Sequence, residues 1–154
     1  LKKTNIPREL RRRLVRTVLL PKAQLSLGIA LAKSGVVTSS MDSSDGLAWS
    51  LHELSRMSRV GFLLENLPAS PLARRFAQLA KADLRDLVLY GGEEFKLVLT
   101  VHPQGWNTAT KAVENAGGTL RKIGTTTSKR NVILRAGGTK ETRIKPIGWE
   151  HFIS

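Results

Sequence analysis

The sequence contains no cysteine, which excludes a disulfide scaffold, a thiol nucleophile and a zinc–thiolate centre, and suits a reducing, cytoplasmic setting. Three scattered histidines, His52, His102 and His151, do not make up for them. No apolar run approaches the roughly 20 residues that a membrane-spanning helix needs, so a membrane partner is excluded. Acidic residues are scarce, 12 against 25 lysines and arginines, and the formal net charge is +13. Aromatics make up 5% of the chain, too few to interleave with the bases as a stacking surface for nucleic acid requires. At 154 residues the chain can bury one core and is too short for two ordinary domains.

The positive charge is unevenly placed. Residues 1–24 hold Lys2, Lys3, Arg8, Arg11, Arg12, Arg13, Arg16 and Lys22 against Glu9, a net +7 of the total +13. Residues 1–20 read as a basic arm with no signal-peptide pattern. Leu1 is not an initiator methionine, so the chain is expected to be a piece of a longer one. The arginine cluster suits either a grip on nucleic acid or a solvated helix face. The second is favoured for want of interleaved aromatics, and the same holds for Arg74-Arg75.

Hydrophobic spacing predicts a helix over residues 7–18, with Leu10, Leu14 and Val18 recurring at fours and Pro21 ending it. A second helix is expected over 22–33, with Leu25, Ile29 and Ala32 on one side and Gly35 as its left-handed stop. Residues 36–41 read as a strand that delivers Asp42 to its carboxyl end, followed by a helical stripe of Leu47, Leu51, Leu54 and Met57. Residues 60–64 suit a buried strand. Ser70 and Pro71 open a helix with Leu72, Phe76 and Leu79 inward, and residues 83–89 form one more helical piece. From Phe95 to Val101 the chain alternates as a strand does. Residues 104–116 fit a helix with Trp106, Ala109, Val113 and Ala116 inward. Two or three strands close the chain, 131–136 and 139–145 flanking a Gly137-Gly138 hairpin. The expected fold class is α+β, a mixed sheet of about five or six strands with helices packed mainly on one face.

Three short motifs stand out. Asp42-Ser43-Ser44-Asp45-Gly46-Leu47 sets two carboxylates and hydroxyls at the mouth of a helix. Such a turn can coordinate Mg²⁺, which commonly bridges one or two carboxylates to substrate phosphates, or it can be a capping turn with Ser44 or Asp45 accepting amide hydrogen bonds. Tyr90-Gly91-Gly92-Glu93-Glu94-Phe95 pairs glycines that let backbone approach a ligand with two acids, at most one of which faces a site; the alternative is a solvated loop. In Gly148-Trp149-Glu150-His151-Phe152, Trp149 can stack on a heterocycle or close a core edge, and His151 is given no role.

In this order the motifs resemble the carboxyl-terminal half of the thiamine-monophosphate kinase family, in the aminoimidazole ribonucleotide synthetase superfamily. That family carries Asp-x-Ser-Asp-Gly-Leu, Gly-Gly-Glu-Asp-Tyr and a terminal Gly-Trp-Asp-His-Phe. The likeness covers about residues 19–152 and assigns 21–154 to that superfamily's carboxyl-terminal domain. Related branches carry different residues where this chain has Ser44-Asp45-Gly46, so the kinase branch fits best. The resemblance implies ATP-dependent phosphorylation of thiamine monophosphate to thiamine diphosphate. Asp42 and Asp45 would bind Mg²⁺, Ser44 the ATP phosphates, and Glu93 and Trp149 the thiamine phosphate. Lys96 stands where the family usually has Glu, and Ser43 replaces a usual aliphatic. The family's amino-terminal domain, which holds most acidic magnesium ligands and forms the dimer, has no counterpart in this sequence. That half, of the same or a separate chain, is therefore an implied partner, a homodimer is another, and this piece alone is expected to be inactive. The competing expectation is a non-catalytic binding module of the same fold whose basic arm contacts nucleic acid or an acidic partner.

Overall fold

The computed structural model describes residues 6–92, 95–135 and 140–148. In chain order the elements are α1 (Arg8–Leu19), α2 (Leu25–Ser34), β1 (Val37–Asp42), α3 (Leu47–Ser58), β2 (Gly61–Leu64), α4 (Pro71–Ala80), α5 (Leu84–Tyr90), β3 (Leu97–Val101), α6 (Trp106–Asn115), β4 (Gly124–Thr127), β5 (Val132–Leu134) and β6 (Thr142–Arg143). This is the expected mixed α+β class.

The six strands fall into two sheets where one was expected. β1 and β3 pair antiparallel, with a register shift between Val37 and Ser39. The other sheet runs β4-β2-β5-β6. Its β2 is antiparallel to β4 and parallel to β5, and β6 returns antiparallel to β5. β5 and β6 thus flank the expected hairpin, whose Gly137-Gly138 lies outside the described residues. β4 carries the run Gly-Thr-Thr-Thr, with no apolar alternation to announce it.

Helix ends follow local chemistry. Gly35 stops α2 in the left-handed region at φ +69°. The Ser70 hydroxyl accepts the Ala73 amide N–H at 3.1 Å with Pro71 in the first turn of α4. Asp83 caps α5 through the Arg85 amide at 2.7 Å. Arg85 also donates to this carboxylate from two guanidinium nitrogens, and these bonds lower the Asp83 pKa to about 2.

The core has two parts, divided as the sheets are. The larger gathers Leu47, Leu51 and Leu54 of α3 with Phe62, Leu64, Val132 and Leu134 of the four-stranded sheet. Each such leucine contributes on the order of 2 kcal/mol by leaving water. The smaller joins Leu31 of α2 to Ala109 and Val113 of α6, over Leu97 and Leu99 of β3. α3 packs against β1 and β3 as well as β2 and β5, and so ties the sheets together.

Several faces differ from the expected ones. Leu25 and Met57 are more than 70% exposed, and Ile29 and Leu79 are also open to solvent. In α2 the residues Leu25, Leu27, Ile29 and Leu31 alternate around the helix, so two stripes were available, and the packing with α6 selects Leu27 and Leu31. Phe95 is exposed at φ +49° and lies ahead of the strand, which begins at Leu97. α1 buries Leu10 alone and lies against α4, leaving Val18 exposed.

Candidate functional site

β1 alternates in burial along its length and ends on Asp42, whose position is exposed and paired across the sheet with Leu97. The Ser43 amide N–H donates to the Lys96 carbonyl at 2.8 Å, which extends the pairing one step past the strand. The chain then turns through Ser44 and Asp45, both half-buried, into α3. Ser50, 1% exposed, fastens this turn from beneath. Its hydroxyl lies 3.0 Å from the Asp42 carbonyl and 3.1 Å from the Gly46 carbonyl, sharing one proton between the two ends of the turn. Sequence reasoning missed Ser50. The signal was a serine inside the otherwise apolar stripe of Leu47, Leu51 and Leu54.

Gly46 precedes α3 with φ +103° and ψ 154°, a conformation that essentially only glycine adopts. No side chain caps α3. Among the described residues, the side chains of Asp42, Ser44 and Asp45 accept no hydrogen bond. Of the capping alternative, the strain relief at Gly46 is present, and amide capping by Ser44 or Asp45 is not found among the described residues.

The described residues of the three motifs meet. A Cβ on Gly46 would stand 3.0 Å from the Gly91 carbonyl oxygen and 3.2 Å from that of Leu89, so the end of α5 lies directly on the first turn. A Cβ on Gly148 would stand 3.0 Å from the Asp45 carbonyl oxygen and 3.1 Å from Trp49 Cβ and Cγ. Two bonds hold the segment that carries Gly148. His52 Nε2 donates to the Ile144 carbonyl at 3.0 Å, and the Lys145 amide N–H donates to Tyr90 Oη at 3.3 Å. Glycine is thus required at 46 by its backbone conformation, and at both positions it gives room for close backbone approach.

Of the expected site residues, the structure brings Asp42, Ser44 and Asp45 into one turn; Glu93 and Trp149 lie outside the described residues. The carboxylate and hydroxyl oxygens of this turn suit a hard cation in kind. In number they leave most positions to water and phosphate, and among the described residues no group of three or more acids and histidines could hold a metal ion. An open cavity of about 1420 Å³ lies elsewhere, lined by leucines of α2, α3 and β3 with Arg13, Arg16 and Lys122. Among the described motif residues, Ser43 and Leu47 alone reach it. Among the described residues, no helix is long and apolar enough to cross a membrane.

No protein-family profile matches the chain. Thiamine-monophosphate kinase of Nitrosopumilus maritimus is 33% identical over 145 residues, 94% of this chain and 45% of that one. The enzyme of the same name from Synechococcus elongatus is 37% identical over 137 residues, 86% of this chain and 40% of its own. Among solved structures, AaThiL complexed with AMPPCP and TMP superposes with a TM-score of 0.75 at 23% identity, covering 96% of this chain and 44% of that one. The fold is the aminoimidazole ribonucleotide synthetase-like fold of these structures. The chain spans less than half the length of the curated relatives it matches. The chain is a homologue of the carboxyl-terminal part of thiamine-monophosphate kinase.

Proposed function

We propose that this chain is the substrate-side part of an ATP-dependent thiamine-monophosphate kinase, converting thiamine monophosphate to thiamine diphosphate in the cytoplasm when completed by an amino-terminal half. The observation that carries this reading is the convergence of the three motifs. They lie far apart in sequence, and Gly46 meets Gly91 while Asp45 meets Gly148. The one-third identity to kinases of that activity over nearly the whole chain supports it.

Phosphoryl transfer needs positioning and neutralisation of phosphate charge more than covalent chemistry. Asp42, at the exposed end of β1, and Asp45 would hold Mg²⁺, and the metal would neutralise phosphate oxygens. The Ser44 hydroxyl would donate to a phosphate of ATP. Glu93 and Trp149 would contact the thiamine phosphate. Ser50 acts earlier, fixing the turn so that the two aspartates keep one spacing. Two carboxylates leave the cation's coordination incomplete, so the chain alone should bind Mg·ATP weakly and turn over nothing. A homodimer belongs to the completed protein.

Calorimetric titration of Mg·ATP into wild type and Asp42→Asn tests the metal reading, with weak binding expected in the first and at least ten-fold weaker binding in the second. Equal heats in both, or none in either, would remove the aspartates from the reading. Combining the chain with the amino-terminal half of a relative should restore ATP-dependent phosphorylation of thiamine monophosphate, and its failure to do so with both pieces folded counts against the function itself.

A further inference from the structure

Trp49 is the third residue of α3, and neither its burial nor its position follows from the core. Its neighbours Leu47, Ala48, Ser50 and Leu51 are all buried, whereas Trp49 is 38% exposed. The indole is nonetheless fixed at its base. Gly148 lies against Trp49 Cβ and Cγ, and the same glycine lies against the Asp45 carbonyl. The segment bearing Gly148 is held to α3 by the His52–Ile144 bond and to α5 by the Lys145–Tyr90 bond. The ring therefore stands where the first and third motifs touch, on a rigid base and open to solvent.

We infer that Trp49 is a specificity-determining residue of this site, an aromatic wall for the flat, cationic ring system of the substrate. The inference rests on the function proposed above and names a contact that none of the three motifs contains. A thiamine phosphate presents two kinds of group: phosphate oxygens, which the metal-binding turn would take, and a thiazolium ring bearing a permanent positive charge. A chain of net charge +13 repels such a ring overall, and the two described acids of the turn are engaged by the metal in this reading. An indole face attracts a cation without adding charge and is the strongest of the aromatic side chains in this respect. Glycine at 148 lets the terminal segment reach Asp45 without displacing the indole.

The test is calorimetric titration of the chain with thiamine monophosphate, Mg·ATP and inorganic phosphate, in wild type, Trp49→Ala and Trp49→Phe, with thermal unfolding as the folding control. Removing a stacking partner should weaken thiamine monophosphate about ten-fold in Trp49→Ala. Trp49→Phe should recover most of that loss, and inorganic phosphate should bind all three proteins alike. Thiamine monophosphate binding that Trp49→Ala leaves unchanged overturns the inference and leaves the function standing. Nucleotide binding that Trp49→Ala weakens, with no thiamine monophosphate binding in wild type, keeps the aromatic wall and overturns the function. Binding of phosphate alone, or of no ring-bearing probe by wild type, overturns the inference and leaves the function to the test of the completed protein.

Discussion

The amino-terminal helix and the motif junction are the two most conspicuous stretches of the sequence, and they are built in opposite ways. α1 carries five of the chain's arginines on 12 residues, yet it buries only Leu10, has no side-chain cap, and keeps its Glu9–Arg12 pair in solvent. The junction carries acids, Asp42 and Asp45 among them, in place of arginines, and much construction. A buried serine bonds both ends of one turn, a glycine sits where only glycine can, and two further segments close on it at van der Waals distance. Charge density marks where a chain meets water or a distant partner; constrained backbone marks where the fold has been bent to hold side chains in place. Breaking either region should therefore give very different signatures.

The largest effect is expected at Gly46. Alanine there must take up a backbone conformation reserved for glycine and push against the Gly91 and Leu89 carbonyls. We expect a loss of about 2 kcal/mol, read as a lowered urea midpoint at unchanged slope. A change below about 0.5 kcal/mol would show that the turn is not braced against α5, and the convergence of motifs would lose its support.

Much of this comparison was legible in the sequence and part of it was not. The elements themselves follow from periodicity and punctuation: Gly35 and the Ser70-Pro71 pair lie where helix-end chemistry puts them. What the sequence leaves open is set by long-range pairing. Nothing local says that β1 joins β3 apart from the other four strands, or that Leu27 and Leu31 rather than Leu25 and Ile29 face inward. β4 escaped notice because three threonines have no hydrophobic face to alternate. In the site, the spacing of Asp42, Ser44, Asp45 and Gly46 was evident, whereas Ser50 and Trp49 act through neighbours supplied by residues 42 and 148. Trp49 meets a partner far along the chain and carries no local mark, whereas the mark of Ser50 is a lone serine in an apolar stripe.

A smaller effect should separate the entry to the junction from its interior. Asp83 begins α5, the helix whose end rests on Gly46, and its carboxyl is held at about 2 against an ordinary 3.8 by the Arg85 side chain and amide. A carboxylate depressed in the folded state contributes stability that is complete above the unfolded value and is lost as pH falls through the folded one. Asn caps about as well as Asp but does not ionise. The stability advantage of wild type over Asp83→Asn should therefore be constant above about pH 5 and shrink between pH 4 and pH 2, as followed by thermal midpoints. A difference that stays flat across that window would remove the Asp83–Arg85 pair from the account of α5.

The smallest effect on stability should come from the most charged part of the chain. Replacing Arg11, Arg12 and Arg13 together by glutamine keeps helix propensity nearly constant and removes only the solvated Glu9–Arg12 pair, 2.9 Å long with both side chains more than 60% exposed. Pairs of this kind contribute between nothing and about 1 kcal/mol, so the triple variant should unfold within about 0.5 kcal/mol of wild type. The same variant addresses what the arm is for. A solvated face predicts no tight binding of a short RNA or DNA duplex at about 0.15 M salt, and titration of Mg·ATP that matches wild type. Micromolar affinity for the duplex that falls steeply with salt and vanishes in the triple variant is the pattern of phosphate contacts releasing counterions. That result would turn α1 into a functional surface in its own right and would favour the binding-module reading over a solvated arm. A large loss of stability without any such binding would instead show that α1 is tied to α4 by more than Leu10.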